Sequence, residues 1–417
     1  MTTMPTDAAI PLSEFAERRA KVLAALKDPK GDAIGLVFAG DGEASLDHGW
    51  RPHPHFEYLT GINDEAGAVL LLDPKNPVES RRAILFLRPL NPELEKWDGF
   101  RDTISSKLRE RYGVGTIMRT TALARFVTEA AKRARRLACL HPFSAYNAPV
   151  SPDLVIFRSI SERIPGVATE DRTHVIAQMR ARKSPAEVSV MRRAIEITAR
   201  GYEAVLSAIR PGANEFDVQE AIEHAYKTHG ARNTAYRTIA GSGFNATVLH
   251  YHANNQPLAD GDLICIDSGA AYFGYSADVT RTYPANGKFS KRQRELYEIV
   301  LASELAGIAA AKVGATLMDV DKACRDVITK AGHGDWFIHG AGHHLGLETH
   351  DITPDEPLDV GAVITVEPGI YIPDEKIGIR IEDDVLVGKT KPTVLSLMIP
   401  KSVTEIEKLM ASARSGR

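Results

Sequence analysis

GDLICIDSG (Gly261–Gly269) and GAVITVEPG (Gly361–Gly369) are two copies of one pattern: a glycine, a run of apolar residues, a carboxylate, and a second glycine two positions on. Short apolar runs bounded by glycine read as buried strands. Working outward, GANEFDV (Gly212–Val218) resembles GATLMDV (Gly314–Val320). Each of these is preceded by a long helical pattern and followed by a shorter one. The first long helix opens with Ser184-Pro185-Ala186-Glu187, a capping box with proline at the first helical position, and the second with the capping box Ser290-Lys291-Arg292-Gln293. Along the first, Val188, Met191, Ile195, Tyr202, Val205 and Ile209 recur at helical spacing until Pro211-Gly212 stops it. Matches in the same order predict two copies of a helix–helix–strand–strand unit. If the copies pack about a pseudo-twofold axis, Asp267 and Glu367 approach one another from opposite sides.

The preceding half alternates helical and strand signals. A helix is predicted around Leu12–Leu26, strands at Ala33–Phe38, Ala66–Leu72 and Ala83–Leu87, and amphipathic helices near Asp102–Tyr112 and Thr121–Ala138. Strands separated by helices argue for an α/β domain. A boundary falls in the stretch Ile164–Lys183, which gives two domains, residues 1–172 and 173–417, in a mixed α/β (α+β) chain.

The 417 residues are 44% hydrophobic and 25% charged, an ordinary globular composition, and the formal net charge is -3. Such a balance offers no general field for nucleic acid or an anionic membrane. Cys139, Cys265 and Cys324 lie far apart without metal-knuckle or redox spacing. They read as reduced and packed, which fits the cytoplasm. No stretch approaches the roughly 20 apolar residues of a membrane span, and the N-terminus lacks a secretory pattern.

After each carboxylate-ending strand a second acid follows, Asp278 in YSADVTRTYP and Glu382 in GIRIEDDVLV, both in strand-like apolar context. Four carboxylates in one partly buried cleft repel strongly where screening is weak. Two divalent cations would balance four such charges and leave positions for water. A further ligand is expected in the run His339-Gly340-Ala341-Gly342-His343-His344-Leu345-Gly346, where glycines let the backbone approach and an imidazole adds a neutral donor. Oxygen donors with one nitrogen and no thiolate favour manganese, cobalt or iron, with zinc possible. The chemistry implied is metal-assisted hydrolysis.

Asp267, Asp278, His343, Glu367 and Glu382, in this order and spacing, resemble the ligand set of the pita-bread metallopeptidases, which include methionine aminopeptidase, aminopeptidase P and prolidase. The phrases IDSGAAYFGYSADVTRTYPANGKFS, HGAGHHLGLETHD, VEPGIYIP and GIRIEDD resemble the proline-specific branch. Phe56–Gly61 and Glu95–Gly99 resemble, more weakly, the extra N-terminal domain of that branch, which methionine aminopeptidases generally lack. The resemblance implies a pita-bread catalytic domain in which Asp267 binds one metal, Asp278 and Glu382 bridge both, and His343 and Glu367 complete the other shell. It also makes Glu367 the candidate general base, with a ligand role alone as the alternative. His250 and His350 match catalytic-site histidines, the second stabilising an oxyanion or holding the substrate carbonyl. His339 is placed at the proline pocket or in support of the shell. Tyr236 corresponds to a tyrosine near the substrate, with a core role as the alternative. Arg380, two residues before Glu382, either orients a carboxylate, meets the substrate or forms a plain ion pair.

The implied activity is Xaa-Pro aminopeptidase on peptides with proline in second position, with a strict Xaa-Pro dipeptidase as the alternative. An inactive binding relative of the same fold is a remote one, because such proteins lose several ligands. Relatives of this kind are commonly dimers or tetramers, so a homo-oligomer is implied, with no nucleic acid and no membrane partner.

Overall fold

In a computed structural model, residues 10–29, 31–41, 50–143 and 149–415 are described. The chain separates into a unit of Ile10–Arg180 and a second that begins at Ala181.

The first unit is built on a six-stranded sheet: β1 (Ala33–Phe38), β2 (Val69–Leu72), β3 (Ala83–Leu87), β4 (Thr116–Arg119), β5 (Arg136–Cys139) and β6 (Ala168–Asp171). Their order is β4-β3-β2-β1-β5-β6. β2 runs antiparallel to β1 and β3, whereas β1–β5, β5–β6 and β3–β4 are parallel pairs. On one face Ile34, Leu36, Leu71, Ile84 and Phe86 pack on Phe126, Val127 and Ala130 of helix Leu123–Ala134 and on Phe157 of helix Pro152–Arg163. These alternate strand residues form the core because successive side chains point to opposite faces. The helix predicted over Thr121–Ala138 is shorter than expected. Arg135 takes a left-handed conformation at φ 64°, which ends it, and Arg136–Cys139 is strand β5. The helix expected from Asp102 starts later, at Ser106, after Ser105 accepts from the Leu108 N–H. Where β1 and β5 end, the rings of His53, His55 and His141 cluster, with 4.4 Å between the centroids of His53 and His141.

The second unit carries the duplicated plan. Long helices Pro185–Ala208 and Lys291–Ala310 are followed by Glu215–Thr228 and Leu317–Lys330. All four begin with a closed capping box: Ser184 with Glu187, Asn214 with Asp217, Ser290 with Gln293, and Thr316 with Asp319. Gly212 and Gly314 sit at φ 83° and 85°, which only glycine adopts freely. Their N–H groups donate to the carbonyls of Leu258 and Leu358 at 2.9 and 2.8 Å. Strand Leu263–Asp267 pairs antiparallel with Ile239–Ser242 and Thr280–Pro284, and strand Val363–Val366 with Asp383–Leu386.

The two copies join at the centre of this unit. Thr280 and Glu382 form an antiparallel bridge, with the Glu382 N–H 3.1 Å from the Thr280 carbonyl. Arg281, fully buried, spans the seam. It donates to the carbonyls of Glu382 and Ile399, both at 2.7 Å, and to Asp383 Oδ1 at 2.7 Å. A buried charge is tolerable when paired and hydrogen-bonded in this way.

Candidate metal centre

Strand pairing explains how the acids reach one place. Asp267 ends its strand opposite Thr280. Two residues before Thr280, Asp278 lies not in a ladder but in the short link 277–279, and Glu382 lies between strands Ile377–Arg380 and Asp383–Leu386. Asp278 thus lies outside the strand expected for it, whereas Glu382 keeps a strand-like place through its bridge to Thr280. Off the ladder, the Asp278 carboxylate can turn inward without breaking sheet hydrogen bonds.

Asp278, His343 and Glu382 each offer a donor atom within 4.8 Å of one another. His343 Nε2 is 3.5 Å from both Asp278 Oδ2 and Glu367 Oε1. Its Nδ1 donates to the His344 carbonyl at 3.0 Å, which leaves the Nε2 lone pair facing the carboxylates. Burial, and then the neighbouring His350, push the His343 pKa down to about 4, so the ring is neutral at physiological pH.

The carboxylates show the strain of being enclosed together. Burial, followed by the charges of Asp267 and Asp384, holds Asp278 well above the ordinary carboxylate range. Burial and then Asp278 and Glu367 do the same to Glu382. Glu367 is pushed up to about 8, chiefly by burial, against the opposing charge of Arg380. Acids that resist ionisation in this way, arranged around an imidazole with its lone pair turned in, suit a hard divalent cation. The residues fit such a group.

Asp267 is held differently. Arg380 Nη2 lies 2.6 Å from its Oδ2 and the Tyr236 hydroxyl donates to its Oδ1 at 2.5 Å. The same hydroxyl also reaches Asp278 Oδ1. Tyr236 therefore links two of the predicted ligands. Arg380 pairs with Asp267 rather than with its near neighbour Glu382, which instead accepts from the Thr280 hydroxyl at 2.6 Å.

His350 is exposed and stacks on His343, with ring centroids 4.1 Å apart and 24° between planes. His250 is exposed and stacks parallel to His252, with ring centroids 6.3 Å apart and 13° between planes. His339 gives its Nδ1 proton to the Gly340 carbonyl and accepts at Nε2 from the Tyr371 hydroxyl, both at 2.8 Å. Arg380 donates to that hydroxyl at 2.9 Å.

Tyr371 and Thr280 join this network without having been singled out from the sequence. Thr280 stands two positions after Asp278, at the start of the strand Thr280–Pro284, and nothing local marks its hydroxyl as a partner of Glu382, 102 residues away. Tyr371 lies in VEPGIYIP four residues after Glu367, with no charge or glycine pattern of its own to mark it.

Fold and site together define a metallopeptidase. The profile of metallopeptidase family M24 matches residues 189–389, and that of the aminopeptidase P N-terminal domain matches residues 15–138. The Xaa-Pro aminopeptidase of Haemophilus influenzae is 32% identical over 97% of this chain and 98% of its own length. The solved aminopeptidase PepP of Pseudomonas aeruginosa superposes with a TM-score of 0.85 at 32% identity, covering 98% of this chain and 100% of that one. The Xaa-Pro dipeptidase of Pyrococcus furiosus is 39% identical, but over 51% of this chain and 62% of its own. The chain belongs to the aminopeptidase P family of pita-bread metallopeptidases.

Proposed function

We infer that this protein is an Xaa-Pro aminopeptidase that hydrolyses the bond between an N-terminal residue and a following proline. The carrying observation is the convergence of Asp278, His343 and Glu382 within 4.8 Å, in a chain similar to such enzymes along both domains. Similarity to the dipeptidase is confined to about half the chain, which favours the aminopeptidase reading.

Asp267, Asp278, His343, Glu367 and Glu382 are proposed to hold two divalent ions, manganese by preference, with cobalt, iron and zinc as the other candidates for this donor set. Bound there, such ions would polarise the scissile carbonyl and lower the pKa of water. Glu367 takes the proton of the attacking water and delivers it to the departing proline nitrogen, a transfer suited to a buried carboxylate of raised proton affinity. His350 and His250 face the substrate, and His350 steadies the carbonyl oxygen as it gains charge. His339, its ring fixed between Gly340 and Tyr371, lines the pyrrolidine pocket. Arg380 and Tyr236 act from behind, setting the orientation of Asp267 and Asp278.

A cytoplasmic homo-oligomer, dimer or tetramer, completes the reading. Among the described residues no helix is long and apolar enough to cross a membrane, and the three cysteines are free and buried. The test couples the manganese content of the purified protein with turnover of Xaa-Pro peptides of increasing length. Cleavage of tripeptides and longer peptides is expected, whereas cleavage confined to dipeptides would assign the protein as a dipeptidase.

A further inference from the structure

Lys183 Nζ lies 3.1 Å from Asp351 Oδ2, and each side chain is 1% exposed. Taking two charges so completely out of water is costly, and a well-packed apolar pair often serves stability as well or better. The pair therefore calls for a role besides stability, and its surroundings supply one.

Lys183 precedes the capping residue of helix Pro185–Ala208, and its N–H donates to the Gly361 carbonyl at 2.8 Å. Asp351 follows His350 at the end of the histidine- and glycine-rich segment. A Cβ on Gly346 would lie 2.2 Å from Asp351 Oδ2 and 3.0 Å from Lys183 Cε, so a glycine is what leaves room for the ion pair. The Asp351 N–H donates to the His344 carbonyl at 2.8 Å. That same carbonyl accepts the Nδ1 proton of His343 at 3.0 Å. His350, next to Asp351, stacks on the His343 ring at 4.1 Å.

We propose that Lys183 and Asp351 are positioning residues for the peptidase reaction: the ion pair fixes the His344 carbonyl and the path of His350, and through them the tautomer of His343 and the stack of the two rings. This rests on the reading of His343 as a metal ligand and His350 as a substrate-facing group. Lys183 anchors the Asp351 carboxylate, and Asp351 delivers its own N–H to the carbonyl that holds the His343 proton on Nδ1. With that proton held, Nε2 keeps its lone pair toward Asp278 and Glu367. Freed from Lys183, the segment lets the carbonyl turn, and the His343 proton divides between the two nitrogens.

The test replaces both charges at once, Lys183→Met with Asp351→Leu, so that neither is left buried alone. In the metal-free protein the thermal midpoint stays near that of the wild type, because apolar pairs replace buried ion pairs well. Cleavage of an Xaa-Pro tripeptide is expected to lose about 10- to 100-fold in kcat with little change in KM, and manganese affinity by calorimetry to weaken about tenfold or more. Nitrogen-15 NMR of labelled histidines should show the His343 tautomer of the metal-free wild type replaced by a mixture. Values of kcat and manganese affinity both within about twofold of wild type, in the folded variant, overturn the proposal. Should that variant not fold, Lys183→Gln with Asp351→Asn carries the same readouts, and the same retention overturns it. A wild type that neither binds manganese nor cleaves the peptide sinks the underlying peptidase reading, and this proposal with it. An active wild type with an equally active variant sinks this proposal alone.

Discussion

Arg380 Nη2 stands 2.6 Å from Asp267 Oδ2, and both side chains are largely enclosed, so the acid at the end of the first strand is held by an arginine from the second copy of the fold. The guanidinium also meets the Tyr371 hydroxyl at 2.9 Å and Thr280 Oγ1 at 3.2 Å. A lysine cannot serve three such partners from one planar group. Arg380→Gln is expected to lower kcat/KM roughly 10- to 100-fold, the equivalent of ~1.5–3 kcal/mol for a charge-assisted hydrogen bond. Arg380→Lys should recover only part of that loss. Steady-state kinetics on an Xaa-Pro tripeptide check both, and full activity in the glutamine variant would remove Arg380 from the site's support.

Removing a charge from the acidic cluster should stabilise the metal-free protein while abolishing function. Burial and repulsion hold Asp278 well above its ordinary range, so Asp278→Asn relieves a conflict as it deletes a proposed ligand. After chelation its melting point should exceed that of the wild type by on the order of 2–4 °C for each kcal/mol relieved. Added manganese should raise the wild-type melting point far more than the variant's. A lower midpoint for the chelated variant would contradict the repulsion argued for this cluster.

Thr280 donates to Glu382 Oε2 at 2.6 Å and itself receives Arg380 Nε. Thr280→Val keeps the shape and deletes the hydroxyl. Partners that orient a metal ligand typically account for about 10- to 100-fold in affinity or activity, so manganese binding should weaken by roughly tenfold, and Thr280→Ser should restore it. Isothermal titration of the chelated protein distinguishes the two variants.

In the first unit, the His141 Nε2 accepts from the Phe38 N–H at 3.0 Å and His53 Nδ1 accepts from the His55 N–H at 3.1 Å. Arg180 Nη1 donates to His55 Nδ1 at 2.9 Å. Burial pushes His141 down to about 4, and burial followed by His141 and Arg180 pushes His53 to about 3. The folded values lie below the unfolded one, so the unfolded chain binds the extra protons. Stability is then intact above about pH 6.5 and falls as pH drops towards 4, by roughly 1.4 kcal/mol per pH unit for each imidazole. Urea unfolding at pH 7, 6 and 5 measures the slope, and His53→Gln should flatten it. A pH-independent midpoint across that window would show the cluster to be solvated.

Much of the second unit was legible because its signals are local. The capping boxes at Ser184 and Ser290 and the glycines at Gly212 and Gly314 act within a few residues of themselves, and each is realised in the structure. The acids could be picked out because carboxylates ending apolar strands are costly without a reason. Other features depend on distant partners. Arg135 ends its helix in a left-handed turn that no glycine announces, so the pattern ran on into β5. Arg380 was placed near Glu382 by sequence proximity, but tertiary packing gives it Asp267, 113 residues away. Lys183 and Asp351 are separated by 168 residues, beyond the reach of any periodicity.

The seam between Thr280 and Glu382 also has a kinetic consequence. Asp267 and Asp278 come from one copy and His343, Glu367 and Glu382 from the other, so a refolding chain with a single copy formed holds only a fragment of the proposed cation nest. Pairings this remote in sequence are late events in assembly. Uptake of manganese during refolding should therefore trail the recovery of helical signal, which makes ion capture a stopwatch for the moment the two halves close.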